Sequence, residues 1–278
     1  MVRLAASSMF FHEYPLDEIF DLVAGAGLDT LEFWVETPHF WIRGQPVAEL
    51  VACISRHPGM VPLSVHAPVL DLNPCSINPK VAAISVEYTL ASITLADRIG
   101  AAVVTVHPGR RTAKRPPSGA DFRRFDHYLS LLAERAQGTQ ARIAIENMEE
   151  KVNSLICTPE TVRDVLDREP WLSFTLDVSH AMAKSLEAVA TYIELCSDRL
   201  AMVHLSLAQD GTLHLPVDAS PDIAAILGWL SDAGFDGIIT FEIEDRTFDH
   251  DLSSEEKLLL LSRQASFVRD CLGETLVL

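Results

Sequence analysis

The hydrophobic positions of this chain fall into short apolar runs separated by longer stretches of helical period. The apolar runs are rich in Val, Ile and Leu and mostly continuous, which is typical of parallel strands covered by helices. They predict strands at Arg3–Ser8, Thr30–Val35, Leu63–His66, Ala102–His107, Arg142–Glu146, Ser173–Asp177, Met202–Leu205 and Gly237–Glu242. Helical period occurs between them, as in Leu16–Ala26, Val81–Ile99, Phe122–Ala136, Thr161–Leu166, Leu186–Cys196, Ile223–Ala233 and Glu255–Leu272.

This alternation predicts the fold class. Eight strands alternating with eight helical runs over 278 residues favour a closed (β/α)₈ barrel over an open sheet. No linker rich in Pro, Gly or Ser and no block of like charge divides the chain. We therefore expect a single α/β domain over residues 1–278 with the architecture of a TIM barrel, whose mouth lies at the carboxyl ends of the strands.

The composition indicates the cellular compartment and the kind of partner that we expect. We find no run of about 18 apolar residues that would predict a membrane span, and no long apolar segment typical of a secretion signal. The five cysteines are scattered without paired spacing, as expected of reduced thiols, so we expect a cytoplasmic protein. A net charge of −17 argues against an extended nucleic-acid surface, because such surfaces require a basic stripe.

Acid and imidazole side chains recur at or just after the ends of the last six predicted strands. Because the carboxyl ends of barrel strands meet at one face, we expect these side chains to converge. Several carboxylates in a narrow barrel mouth repel one another unless a cation neutralises them, so the pattern predicts a metal site. The residues are His66, His107, Glu146, Asp177, His180, His204, His214 and Glu242.

The motifs that carry these residues resemble the xylose-isomerase-like TIM barrels. That superfamily contains sugar and sugar-phosphate isomerases and epimerases, inosose dehydratases, and endonuclease IV of AP endonuclease family 2. The motifs stand in the family's order from the third strand to the eighth. They are VHAP (65–68), VHPG (106–109), IEN (145–147), LDVSHA (176–181), VHLS (203–206), HLP (214–216) and FE (241–242).

The resemblance implies a divalent metal held by one residue from each of four strand ends: Glu146, Asp177, His204 and Glu242. Such a donor set suits Mn²⁺, Zn²⁺, Mg²⁺ or Co²⁺. It implies an isomerase or epimerase in which Glu146 and Glu242 transfer a proton through an enediolate, with His180 and His66 orienting substrate hydroxyls. The expected partner is a small sugar or sugar phosphate. Dehydration is an alternative outcome, and relatives of this type are often homo-oligomers.

The resemblance also offers an alternative, an endonuclease IV-like zinc phosphodiesterase acting on abasic DNA. Four histidines match the additional zinc ligands of that enzyme: His66, His107, His180 and His214. Its third site requires a carboxylate, but Thr212 occupies that position here and Asp210 is displaced by two residues. The sequence therefore favours sugar chemistry, in which such histidines bind substrate hydroxyls. A further alternative is a barrel that binds metal without turnover.

A short basic segment predicts an anion contact. The segment HPGRRTAKR (107–115) carries four cations directly after the fourth predicted strand. The segment is either a solvated surface loop or a binding site for an anion such as a sugar phosphate or a nucleotide backbone. In the second case Arg110, Arg111 or Lys114 would hold the phosphate.

An aromatic cluster lies at and after the second predicted strand, in LEFWVETPHFW (31–41). These aromatic side chains either pack within the barrel or form an apolar wall that lies against a sugar face or excludes water. We expect Trp34 and Trp41 to form that wall. His12 and His39 follow the first two strands and would line the mouth without contacting metal.

Overall fold

The computed structural model describes residues 2–217 and 219–273, and it confirms the TIM barrel. The described residues form ten strands: β1 (Arg3–Ser7), β2 (Thr30–Trp34), β3 (Ser64–His66), β4 (Val103–Val106), β5 (Arg142–Glu146), β6 (Ser173–Asp177), β7 (Leu200–Leu205), β8 (Leu207–Gln209), β9 (Thr212–Leu215) and β10 (Ile238–Phe241). All except β8 and β9 form a closed parallel barrel, in which β10 pairs with both β7 and β1. Each predicted strand is correct to within two residues.

The described helices surround this barrel: α1 (Leu16–Gly25), α2 (Pro38–Trp41), α3 (Val47–Arg56), α4 (Pro79–Ile99), α5 (Gly119–Ala136), α6 (Pro159–Arg168), α7 (Val178–Met182), α8 (Leu186–Cys196), α9 (Pro221–Asp232) and α10 (Ser254–Cys271). Short 3₁₀ helices lie at Ser8–Phe11, Ser197–Arg199 and Asp245–Thr247. Capping boxes at Thr158 and Ser253 explain where α6 and α10 begin. Among the described helices, none is long and apolar enough to cross a bilayer.

The layer between strands and helices contains the main core. Seven of its described phenylalanine rings are completely buried: Phe11, Phe20, Phe33, Phe40, Phe125, Phe174 and Phe241. Burying one such side chain stabilises a fold by about 1.5–3 kcal/mol relative to leaving it exposed. This packing fixes the strands, and so fixes the side chains that point to the other side, into the barrel.

The barrel interior changes from apolar to charged along its axis. A small separate cluster fills part of it: Ala5, Val103, Ala144, Ala201, Met202 and Ile238. Further along, the buried hydroxyls of Thr105 and Thr175 lie 3.0 Å apart. Successive inward positions on a strand are two residues apart, so the next inward residue of β6 after Thr175 is Asp177. The charged groups at the mouth therefore lie above a packed floor.

A hairpin follows β7 and carries one of the predicted site residues. Its strands β8 and β9 are joined by Asp210 and Gly211, whose φ angles of 52° and 79° match a tight two-residue turn. His214 on β9 also has a positive φ, 55°. A left-handed conformation is costly for a residue with a Cβ, of order 1–3 kcal/mol, and the hairpin holds this imidazole buried nonetheless.

Candidate metal centre

Four acid and imidazole side chains converge at the carboxyl ends of the strands. A ligand atom from each lies within 4.8 Å of the others: Glu146, Asp177, His204 and Glu242. They come from the ends of β5 and β6, from β7, and from the position directly after β10. None is more than 7% exposed. The strand ends therefore bring together the four residues that the resemblance pointed to, in a space shielded from bulk water.

The two oxygens of Asp177 have different environments. Oδ1 accepts hydrogen bonds from the Ser179 hydroxyl at 3.0 Å and from the backbone amide of His180 at 2.7 Å, which caps α7. Oδ2 is buried and has no hydrogen-bond partner among the described residues. Burial raises the pKa of Asp177 to about 6, although His180 and His214 oppose the increase. One oxygen therefore supports the helix, and the other is left facing the cluster.

A fourth carboxylate orients His204. Glu32 on β2 is completely buried, and its Oε1 lies 3.3 Å from Nε2 of His204. The other ring nitrogen, Nδ1, lies 3.0 Å from Glu242 Oε2 and 3.3 Å from Glu146 Oε1. In the tautomer whose Nε2–H donates to Glu32, the Nδ1 lone pair is directed at the cluster. Carboxylate–histidine pairs of this kind fix the tautomer of metal-binding imidazoles.

Two further histidines have one nitrogen engaged by a backbone carbonyl. His66 Nδ1 lies 2.8 Å from the carbonyl oxygen of Ala67, and His180 Nδ1 lies 2.9 Å from that of Asn147. Because a carbonyl only accepts, both Nδ1 atoms donate and Nε2 is left as the basic nitrogen. Burial opposes the charged form of His66, yet Glu146 and the other nearby acids outweigh it and raise the pKa to about 9. A proton and a metal ion would compete for that nitrogen.

The remaining two predicted histidines complete neighbouring groups of ligands. His107 Nε2 lies 2.9 Å from Glu146 Oε2, and burial lowers the pKa of His107. His214 Nδ1 lies 3.9 Å from Glu242 Oε2. Three groups therefore overlap or adjoin the four-residue one among the described residues, each with ligand atoms within 4.8 Å: His66, His107 and Glu146; His66, His204 and Glu242; and Asp177, His180 and His214.

A cavity of about 300 Å³ opens above the cluster. His12, His66, His107, His180, His214, Glu146 and Glu242 supply polar wall, and Trp34, Val69, Leu70 and Met148 supply apolar wall. The Trp34 ring lies edge-on to His12, with ring centroids 6.0 Å apart. The cavity is large enough for a small polar molecule and combines apolar walls with converging polar groups, as ligand sites do.

The family described as xylose isomerase-like TIM barrel matches residues 20–266. The chain belongs to this family. It is 31% identical over 275 residues to the uncharacterized protein MJ1188 of Methanocaldococcus jannaschii, covering 96% of this chain and 98% of that one. Among solved structures, L-ribulose 3-epimerase superposes with a TM-score of 0.79 at 18% identity (98% and 95% covered), and D-psicose 3-epimerase from Clostridium cellulolyticum H10 with 0.78 at 16% (97% and 99%). These similarities to solved structures concern the fold.

The donor set of this xylose isomerase-like barrel fits a divalent cation. Three carboxylates with oxygens within 4.8 Å of one another repel one another, and a divalent cation would neutralise that charge. The buried, unpartnered Oδ2 of Asp177 is the kind of atom that a cation would satisfy. Glu146, Asp177, His204 and Glu242 would hold the ion, with His204 binding through Nδ1.

The structure separates the predicted substrate contacts into two groups. Trp34 lines the mouth cavity, while Arg110 and Lys114 line a second cavity beside it. Arg111 instead donates to the carbonyl oxygen of Pro116 at 2.6 Å and lies 3.6 Å from Asp121.

Two of the aromatic and imidazole predictions lie apart from the mouth. The Trp41 ring packs on Tyr88 of α4, with centroids 4.8 Å apart. His39 lines a separate cavity with Asp17 and Arg56, whereas His12 lines the mouth as expected.

Sequence reasoning missed two residues that support the cluster. Glu32 could have been noticed, because an acid in the middle of the apolar run TLEFW is unusual, but the sequence does not show which residue pairs with it. Asn147, in the IEN motif, received no role. Its side chain accepts from the Asp177 amide at 2.8 Å and donates to the Asp177 carbonyl at 2.9 Å. It therefore ties the end of β5 to the end of β6.

Proposed function

We propose that the protein is a divalent-metal-dependent sugar isomerase or epimerase. The observation that supports this most strongly is the buried cluster itself, in which Glu146 and Glu242 lie within 4.8 Å of Asp177 and His204. The cavity that opens above this cluster is suited to a small polar molecule. Solved structures that share the fold include an L-ribulose and a D-psicose 3-epimerase.

In this proposal the two glutamates are the acid and the base. One removes a proton from the carbon beside a carbonyl, and the other returns a proton to the resulting enediolate. β6 and β7 separate the strands that carry Glu146 and Glu242, so the two carboxylates approach a bound sugar from different sides. A divalent ion at the centre would supply positive charge where negative charge develops on the substrate oxygens.

Electrostatics keep both glutamates ionised. Burial opposes ionisation of Glu146, but His107 and His204 outweigh it and hold its pKa well below the usual range. Burial likewise opposes ionisation of Glu242, while His204 and His214 lower its pKa. These neighbours favour the ionised form of both carboxylates, in which either is able to accept a proton.

The surrounding residues position the sugar and exclude water. His66 and His180 line the cavity, and a backbone carbonyl engages Nδ1 of each, so Nε2 is the atom that would hydrogen-bond a sugar hydroxyl. Trp34 and Leu70 supply an apolar wall, which suits the carbon face of a sugar ring or chain.

The test is proton exchange. Metal-loaded protein is incubated with a panel of ketoses in deuterated water, and label at the carbons beside the carbonyl is followed by NMR. We expect incorporation together with an isomer or epimer, and loss of both in Glu146→Gln. Absence of exchange with every ketose and ketose phosphate would contradict the proposal and favour a barrel that binds metal without turnover.

One observation favours a second candidate, zinc-dependent cleavage of abasic DNA. The clusters at His66, His107 and Glu146 and at Asp177, His180 and His214 provide ligands for further ions. Against it, Thr212 is exposed, and Asp210 is exposed in the hairpin turn, away from the buried histidines. Cleavage of an abasic duplex by metal-loaded protein, without exchange into any sugar, would support this candidate instead.

A further inference from the structure

A second cavity, of about 370 Å³, lies directly beside the mouth. Segments that follow β3, β4 and β5 form most of its wall, and Ser85 and Thr89 of α4 complete it. The two cavities share Val69, His107 and Met148 as lining residues. Nε2 of His107 also lies 2.9 Å from Oε2 of Glu146, so the wall of the second cavity contacts the metal cluster at this side chain. A ligand bound at the cluster is therefore able to extend into it.

Cations converge on this second cavity. Arg110, Lys114 and Lys151 line it, and Glu149, the carboxylate in its lining, already pairs with Lys151. The side chains of Arg110 and Lys114 are exposed and have no hydrogen-bond or carboxylate partner within the described ranges.

Some arginines of the chain pair with acids, as Arg56 does with Asp17 and Arg135 with Asp97. Arg110 and Lys114 differ from other exposed cations, such as Arg98 and Arg123, because they share the wall of one cavity. Unpaired cations grouped at one concave site attract an anion, because the surrounding low-dielectric wall focuses their field.

The backbone that carries Arg110 is fixed by an asparagine on one side. Asn73 is buried, accepts from the Arg110 amide at 3.0 Å and donates to the Arg110 carbonyl at 2.9 Å. Gly109 has a φ of 77°, and a Cβ there would lie 2.9 Å from Asn73 Oδ1. The close approach therefore requires glycine at this position.

A second asparagine fixes the other side of the same loop. Asn153 donates its side-chain amide to the Arg111 carbonyl at 2.9 Å, and its own carbonyl accepts from the Arg111 amide at 2.9 Å. An antiparallel bridge joins Arg110 to Ser154. The cationic side chains therefore project from a backbone that is ordered before any ligand arrives, and such preorganisation reduces the entropy lost on binding.

We propose that this cavity binds the phosphate of a phosphorylated sugar whose carbonyl end lies at the metal centre. The inference rests on the proposed function and adds its substrate class. A phosphate monoester carries close to two charges and three acceptor oxygens, so cations from separate residues are suited to it. Arg110 supplies a planar fork of donors and Lys114 a point charge, while Lys151 neutralises the carboxylate of Glu149 beside them. Arg111, whose side chain is bound to Pro116, supports the loop.

Binding of inorganic phosphate tests the subsite without turnover. Metal-loaded wild type, the double variant Arg110→Gln/Lys114→Gln and the control Arg115→Gln are titrated with phosphate by calorimetry. Arg115 is an exposed cation of the same loop that does not line the cavity. We expect about tenfold or greater weakening in the double variant, as for loss of two charge-assisted contacts, and less than about twofold in the control. Equal weakening in both, or none in either, would overturn the proposal.

Kinetics then identify the source of the phosphate. Wild type should process ketose phosphates with a higher kcat/KM than the free ketoses, and the double variant should lose that preference mainly through KM. A free ketose processed equally well by wild type would overturn the inference while leaving the proposed function intact. Phosphate binding that depends on Arg110, together with inertness of every sugar, would support the subsite and overturn the proposed function. Arg110-dependent cleavage of an abasic duplex would overturn both in favour of a phosphodiester.

Discussion

The metal centre and the cationic cavity are adjacent, but they are built from different parts of the fold. The side chains that would bind the metal extend from strand ends and are buried, Asp177 and His204 completely so. Arg110 and Lys114 extend from the loop after β4 and are exposed. Strand ends are held by the barrel sheet and its core, whereas the loop depends on two asparagine side chains and one glycine.

The difference indicates that the strand ends are suited to the chemical step and the loop to recognition of the substrate. Chemistry at the centre requires ligand atoms fixed to within a fraction of an ångström, which strands supply. Recognition of a charged substrate group tolerates longer, more flexible side chains, and loops vary most easily between relatives. We therefore expect substitutions at the centre to abolish turnover, and substitutions around the loop to change binding or stability by smaller amounts.

The largest effect should follow from Glu242→Gln. The change removes a proton-transfer group and a negative ligand but retains the side-chain shape, so turnover should fall by about a thousandfold. The fold should remain, because Glu242 lies beyond the packed floor of the barrel. The measurement is solvent-proton exchange, with circular dichroism and thermal unfolding as checks. Exposed Glu187→Gln is the matched control, and full activity of the Glu242 variant would contradict the two-glutamate scheme.

A smaller effect is expected from Glu32→Gln. Glutamine no longer offers the carboxylate that holds His204 with Nδ1 facing the cluster, so metal affinity should fall by about 10- to 100-fold. Competition with a chelator measures this without turnover.

Glu36→Gln is the control for that experiment. Glu36 is another buried acid near the mouth, but it binds the amides of Val69 and Leu70 rather than a histidine of the centre. Equal affinity losses in the two variants would show that the Glu32–His204 contact has no special role.

The loop itself is tested by Gly109→Ala. Its φ of 77° is strained for alanine, and the added Cβ would meet Asn73 Oδ1 at 2.9 Å and Cys75 Sγ at 3.1 Å. We expect a loss of about 2–3 kcal/mol in the free energy of unfolding, measured in urea. Gly44→Ala, with a φ of 74° and open space around it, should lose only about 1 kcal/mol. Similar losses would mean that the contact with Asn73 is not tight.

The smallest effect concerns the thiol beneath this loop. Cys75 is buried, and burial raises the pKa of its thiol to about 12. A raised thiol pKa reduces the thiolate fraction at pH 8, so modification by Ellman's reagent should be slow in the folded protein and fast after unfolding. Mass spectrometry locates the modified site, with partly exposed Cys271 as the comparison. Rapid modification of Cys75 at pH 8 would show that the loop opens readily.

Much of the fold and of the centre followed from local pattern. Continuous Val/Ile/Leu runs gave all eight barrel strands, and residues such as Glu146 and Asp177 stand at the ends of those runs. Helices α2, α3 and α7 are not among the predicted helical runs. Four or five residues are too few to show a helical period in α2 and α7, whereas α3 spans ten residues. Trp34 lies at the mouth, but Trp41 packs on Tyr88, a contact between segments 47 residues apart in the chain.

The sequence by itself determined the strand order, the face on which the acids and imidazoles gather, and the chemical type of the metal ligands. It did so because the period of two along a strand and the closure of a parallel barrel leave few alternatives. Only the tertiary structure decided which nitrogen of His204 faces the cluster, because Glu32 becomes its neighbour only through folding. The same holds for Arg111, which folding places beside Asp121, whereas Arg110 and Lys114 are left without an acidic partner among the described residues.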